Sequence, residues 1–323
     1  MIDRRQMMGL GLAATVATTA RAQSGGARVT AWPGSESFPL WPGSPPNSPP
    51  TPPRQRGEMS GNPASPGLWM RGVAIPTVSV FRPKRPDGRA VLSIPGGGYS
   101  FVSVENEGIN VAQALNPKGI TVFVLTYRLP IDGWKNPADV PQQDAIRAMR
   151  LIRSRAREFR IDPDKLGIVG FSAGGHLGAT LATGHADRVY ADVDAADRLS
   201  ARPAFAGLVY AVTTIAVGGP KGQSRKNLLG DDPDPALVAR YAAESRIDMN
   251  TPPIFLVHAI DDGLVPVDMS LSTLATARAA GVPVEAHLYE KGGHGFGVGN
   301  GPDHPAAGWT DIFDRWITRQ LAG

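Results

Sequence analysis

Residues 166–183 read LGIVGFSAGGHLGATLAT. The first part, 166–170, is a short apolar run containing β-branched Ile168 and Val169, as a strand covered on both faces requires. The last part, 173–183, is a small-residue helix pattern. Between them, Gly170-Phe171-Ser172-Ala173-Gly174 is a G-x-S-x-G match. A serine displayed on a sharp strand-to-helix turn needs small residues two positions to either side, because the turn presses their backbones together. Five residues can match by chance, so the weight comes from context: the match falls where an apolar strand meets a helix.

On either side of this stretch the same alternation continues. Strands are expected over 77–81, 90–95, 120–127, 204–212, 254–260 and 284–290, and helices over 105–115, 139–159, 267–280 and 306–321. Strands alternating with helices predict an α/β fold, with a mostly parallel central sheet flanked by helices. Two stretches break the pattern. Residues 23–66 are rich in Pro, Gly and Ser, and carry Trp32, Phe38 and Trp41. They read either as an extended arm pinned to the domain by those aromatics or as a linker. Residues 213–252 form a lid-like insertion of ~40 residues inside the 67–323 domain, longer than ordinary loops.

The N-terminus has the form of an export signal. Arg4-Arg5, an apolar and small-residue run and Ala20-Arg21-Ala22 predict a twin-arginine signal peptide over 1–22. The apolar run is shorter than the ~20 residues of a membrane span, so no membrane anchor is expected. Removing 1–22 lowers the formal net charge from +4 to +2. Neither value implies a charged partner, and no basic run with interleaved aromatics suggests nucleic acid. The chain has no cysteine. That excludes disulfides, thiolate metal sites and a cysteine nucleophile. No H-E-x-x-H or H-x-H motif occurs, so neither metal nor cofactor is expected.

A serine hydroxyl is a weak nucleophile and needs a base, with a third group to orient it. Where the serine sits on a G-x-S-x-G strand-to-helix turn, the expected chain order is serine, acid, histidine. His294, in Lys291-Gly292-Gly293-His294-Gly295, follows the last expected strand. Asp261-Asp262 ends the strand before it, and Asp262 is preferred because it carries the D-x-x-V-P spacing. Asp261 and Asp268 suit helix capping better. Upstream, Pro95-Gly96-Gly97-Gly98-Tyr99 follows another strand; the Gly97 and Gly98 amides, with that of Ala173, are the expected oxyanion donors. The glycines match neither phosphate-binding fingerprint. His176 and His258 read as packed core histidines, and the remaining three have no supporting motif. Glu107 reads as a carboxylate at a helix start.

The segments IPGGGYSFVSVENEG, LTYRLP, DAIRAMRLIRSRA, GIVGFSAGGHLGA, PPIFLVHAIDDGLVP and EKGGHGF, with LWPGSPP upstream, resemble the secreted acetylxylan and feruloyl esterases of the α/β-hydrolase superfamily. That resemblance implies a triad of Ser172, Asp262 and His294 and an oxyanion hole of Gly97, Gly98 and Ala173. It also implies short acyl or aromatic esters as substrates, on small molecules or plant oligosaccharides. Tyr99 and Trp134 are candidate sugar or aryl contacts, with the core as their other reading. A peptidase of the same fold and a non-catalytic carbohydrate-binding protein are the rival functions. Pro95 stands where many relatives have His before GGG, which removes a side chain but no amide.

Overall fold

The computed structural model describes residues 32–61, 66–215, 222–299, 301 and 303–322; the expected signal peptide lies outside them. In chain order the strands are β1 (Ser37–Pro39), β2 (Arg56–Ser60), β3 (Gly67–Arg71), β4 (Thr77–Phe81), β5 (Ala90–Ile94), β6 (Thr121–Thr126), β7 (Leu166–Phe171), β8 (Ala206–Val209), β9 (Ile254–Ala259) and β10 (Val284–Tyr289). The α-helices are α1 (Asn110–Leu115), α2 (Asp139–Ser154), α3 (Ala156–Phe159), α4 (Ser172–Thr183), α5 (Gln223–Leu229), α6 (Pro235–Tyr241), α7 (Asp268–Ala279) and α8 (Trp309–Leu321). Eight strands form one sheet in the order β1-β4-β6-β5-β7-β8-β9-β10, and β2 and β3 form a separate hairpin. β1–β4 and β4–β6 are antiparallel, whereas every pairing from β6 to β10 is parallel. This is the α/β-hydrolase arrangement.

Period-two alternation along the buried strands sends successive side chains to opposite layers. Leu92 and Ile168 join Ile146 and Met149 of α2 and Leu177 of α4, while Val91 and Val169 join Leu115 of α1 and Trp309, Phe313 and Trp316 of α8. Each such aromatic, fully buried, contributes about 2–3 kcal/mol of transfer free energy. Helices on both faces explain why β5 to β9 are buried throughout rather than alternating.

Several boundaries differ from the sequence expectation. The helix expected over 139–159 breaks at Arg155, where the backbone leaves helical geometry. The break turns α3 so that Phe159 stacks on Phe38 at 5.8 Å and meets Phe123 at 4.9 Å. The helix expected over 105–115 starts as a π-helical turn, Glu105–Ile109, before α1. The strand expected over 204–212 stops at Val209, because Tyr210 swings to φ 37°.

The Pro-rich segment contributes β1 to the sheet edge, and its three aromatics are packed. Trp32 Nε1 donates to Thr126 Oγ1 (3.0 Å), and Trp41 Nε1 donates to Asp144 Oδ1 (2.8 Å). Asp144 and Arg128 form a fully buried pair, with the Arg128 guanidinium on both carboxylate oxygens at 2.8–3.0 Å. The guanidinium also lies over Trp41 and Trp134. A buried pair loses most of its worth when one partner goes, because the other charge stays behind. Arg128→Met is therefore expected to lower unfolding free energy by about 3–5 kcal/mol in urea titrations; a loss under about 1 kcal/mol would show the pair to be dispensable.

Candidate active site

At the end of β7 the chain reverses into α4, and Ser172 occupies the left-handed region at φ 50°. That backbone costs a non-glycine residue about 1–2 kcal/mol, and it points the side chain away from the sheet. The flanking glycines are there for space. A Cβ on Gly174 would lie 2.2 Å from the Ile94 carbonyl oxygen and 2.3 Å from that of Pro95. With nothing in the way, α4 packs directly on the loop after β5.

Ser172, His294 and Asp262 come together in that order. His294 Nε2 is 2.9 Å from Ser172 Oγ, and His294 Nδ1 is 2.7 Å from Asp262 Oδ2. The carboxylate can only accept, so Nδ1 carries the proton and Nε2 accepts from the serine hydroxyl. Asp262 is buried, and burial alone would raise its pKa. Hydrogen bonds from His258, His294 and the Val265 N–H outweigh that and hold the carboxyl well below the usual range.

The second aspartate has a different task. Asp261 Oδ1 accepts from the Gly293 N–H at 2.8 Å and so ties down the loop carrying His294. The helix-capping reading of Asp261 is thereby corrected. His258 is buried and satisfied, as expected of a core histidine, but it also touches Asp262. Its Nε2 faces Asp262 Oδ2 (3.2 Å) and the Val265 carbonyl (3.0 Å). Both are acceptors, so the proton sits on Nε2 and Nδ1 accepts from Ser270 (2.8 Å).

The Gly97 and Gly98 N–H groups have no acceptor among the described residues. Gly97 needs to be glycine: its φ is 132°, and a Cβ there would sit 2.1 Å from the Phe101 carbonyl oxygen. Ala173 is the second residue of α4, where helical N–H groups have no partner in the preceding turn. Side chains from elsewhere in the chain brace the glycine loop. Asn227 of α5, within the expected insertion, donates to the Gly98 carbonyl at 2.6 Å. Glu107 Oε2 accepts from the Gly96 N–H (2.6 Å), and its Oε1 accepts from Tyr210 Oη (2.8 Å). Tyr210 in turn accepts from the Gly297 N–H (3.0 Å), and its ring packs edge-on to His294. Burial pushes the Glu107 carboxyl up, against the pull of those two hydrogen bonds. Glu107 thus links the glycine loop to the histidine loop, a task that the helix-start reading missed.

Two expected substrate contacts are corrected. Tyr99 is 1% exposed; at φ 59° it turns inward and donates its hydroxyl proton to His176 Nδ1 at 2.7 Å. Trp134 is 4% exposed, against the Arg128 guanidinium. Neither lines the cleft over Ser172, a cavity of about 750 Å³. The aromatic side chains that do are Trp69, Phe101 and Phe296. Among the described residues, no cluster of His, Asp and Glu could hold a metal ion, and no helix is long and apolar enough to cross a membrane.

Comparison with known proteins agrees with this architecture. The BD-FAE family model matches residues 79–276. An acetylxylan esterase of Xylanibacter ruminicola is 35% identical over 68% of the chain and 43% of its own length. An endo-1,4-beta-xylanase B of Butyrivibrio fibrisolvens is 33% identical over 68% of the chain and 34% of its own length. The matched region thus spans less than half of these curated relatives. Among solved structures, an acetyl ester-xyloside bifunctional hydrolase from Caldicellulosiruptor lactoaceticus superposes with TM-score 0.71 at 32% identity, over 88% of this chain and 96% of that one.

His176, on α4 one turn past Ser172, gives a pH-dependent signature. It is fully buried; Nε2 donates to the Tyr241 carbonyl at 2.8 Å, and Nδ1 accepts from Tyr99. Burial pushes its pKa from 6.5 down to about 4. The unfolded chain takes up this proton below pH 6.5 while the folded chain resists it. The contribution is therefore whole above pH 6.5 and is lost as pH falls toward 4. Wild type should lose about 3 kcal/mol more than His176→Gln between pH 7 and pH 4 in urea titrations. Equal losses would show that His176 is protonated in the fold.

Proposed function

The chain belongs to the BD-FAE family, and from that premise we propose that it is an exported serine carboxylesterase acting on short acyl or aromatic esters, including acetyl groups on xylan or related plant polysaccharide. One observation carries this reading: the hydrogen-bonded chain Ser172–His294–Asp262 opens on a cleft lined by Gly97 and Gly98, whose N–H groups have no acceptor among the described residues, beside Ala173 at the start of α4. The names of the relatives support the acetyl and xylan parts. The signal-like sequence over 1–22 supports export.

Ser172 Oγ attacks the ester carbonyl while its proton passes to His294 Nε2. The carbonyl oxygen becomes an oxyanion and receives hydrogen bonds from the three amides, each worth ~3 kcal/mol in the transition state. Asp262 holds the tautomer that leaves Nε2 free, and it stabilises the imidazolium. On collapse of the tetrahedral intermediate the alcohol departs with the proton from His294. Water, deprotonated by His294, then attacks the acyl-enzyme and releases the acid. Serine is the right nucleophile for this chain, which has no cysteine.

Substitutions separate the two neighbouring aspartates. Ser172→Ala should lower turnover of p-nitrophenyl acetate by ~10⁶-fold. Asp262→Asn should cost ~10⁴-fold, since an amide at that position can favour the wrong imidazole tautomer. Asp261→Asn keeps an oxygen for the Gly293 N–H and should cost under ~10-fold. Full activity in Ser172→Ala would sink the mechanism, and no turnover by wild type is what a carbohydrate-binding role without catalysis requires. Acid analysis after incubation with acetylated xylan, feruloylated arabinoxylan and simple esters reads the substrate; release from simple esters alone would remove the polysaccharide part.

A further inference from the structure

An acetyl group has three heavy atoms, and a cavity of about 750 Å³ holds far more than that. Most of the space over Ser172 is therefore available to the other half of the ester. One wall of this space comes from the β2–β3 hairpin, which lies outside the central sheet and is anchored beside the glycine loop by a bridge between Met70 and Val102.

Trp69 of β3 lines the cleft and is not free to turn. Its ring is stacked on Phe101 with centroids 3.6 Å apart and planes within 9°. The Arg71 guanidinium covers the pair, 5.7 Å from the Trp69 centroid and 5.1 Å from that of Phe101. Arg71 is held in place by Glu58 Oε1 (2.5 Å) and the Ser100 carbonyl (2.9 Å). The result is a flat aromatic surface whose orientation is fixed before substrate arrives, so little entropy is lost in using it. Around it, the cleft is lined by polar side chains, neutral ones such as Ser60, Ser103 and Asn110 and charged ones such as Glu105 and Arg225. A sugar ring offers a C–H face to an aromatic plane and hydroxyls at its edge to amides and alcohols. An aryl acyl group would be better served by a wholly apolar slot.

We propose that Trp69 is the platform of a saccharide subsite on the alcohol side of Ser172, so that the ester is recognised through the ring of an acylated sugar. The proposal rests on the serine esterase reading above. It assigns to the β2–β3 hairpin the specificity for carbohydrate over simple alkyl esters, and it replaces Tyr99 and Trp134 in that role.

The test compares wild type, Trp69→Ala and Trp69→Phe on acetylated xylo-oligosaccharides, p-nitrophenyl acetate and methyl ferulate. In Trp69→Ala, the ratio of kcat/KM on the oligosaccharide to that on p-nitrophenyl acetate should fall ~10-fold, mainly through KM, with Trp69→Phe in between. An unchanged ratio overturns the proposal. So does a loss on methyl ferulate equal to that on the oligosaccharide, which would put the platform on the acyl side. Calorimetric titration of unacetylated xylo-oligosaccharide into Ser172→Ala, with and without Trp69→Phe, reads the subsite without chemistry. Heat of binding that weakens in the double variant supports the proposal, and no heat in Ser172→Ala refutes it. If wild type fails to turn over p-nitrophenyl acetate, the esterase reading falls while the titration still decides the subsite.

Discussion

Where β7 ends, the chain must reverse into α4 within one residue, and it does so with Ser172 in a left-handed conformation that is unfavourable for a serine. The strain persists because packing on both sides over-determines it. β7 is hydrogen-bonded between β5 and β8, and α4 lies so close to the loop after β5 that only glycine fits at position 174. This close approach has two chemical results. It lifts Ser172 Oγ toward His294, and it brings the first turn of α4, with the Ala173 amide, against the glycine loop. In the proposed mechanism, a looser junction would separate Ser172 Oγ from the amides that receive the oxyanion.

The other parts of the site are held to this junction by buried polar contacts. Glu107 holds the Gly96 amide with one oxygen and Tyr210 with the other, and Tyr210 holds the Gly297 amide beside His294. One carboxylate therefore sets the spacing between the glycine loop and the histidine loop. From the opposite side Asp261 fixes Gly293, so the histidine loop is tied both before and after His294. His258 and His294 share the second oxygen of Asp262, while the Leu264 and Val265 amides take the first. Removing a partner from such a network leaves a buried group unsatisfied, which costs more than the contact itself gained.

What could be read from the sequence followed the range of the interactions involved. The parallel sheet and its helices were legible because apolar runs and helical stripes are local patterns. Ser172, Asp262 and His294 were legible because each sits at a strand end within a short motif, and the structure brings the three side chains within hydrogen-bond reach. Tyr99 misled because adjacency to the glycine loop says nothing about side-chain direction; a positive φ turned it into the core. Trp134 misled for the same reason, being drawn under Arg128 by a cation–π contact. The role of Glu107 depends on Tyr210, 103 positions away, and no local pattern signals such a pairing. The β2–β3 hairpin was hidden by the Pro-rich composition of its surroundings. Its one visible cue was alternation in Gly67–Arg71, where Leu68 and Met70 are buried and Trp69 faces the cleft.

In the proposed mechanism one serine, activated by His294, carries the chemistry. Treatment with a fluorophosphonate and peptide mapping by mass spectrometry tests this most directly, because the reagent needs both an activated nucleophile and an oxyanion site. A single adduct on Ser172, with labelling lost in His294→Ala, is the predicted result. An adduct on another residue, or unchanged labelling of Ser172 without His294, would contradict it.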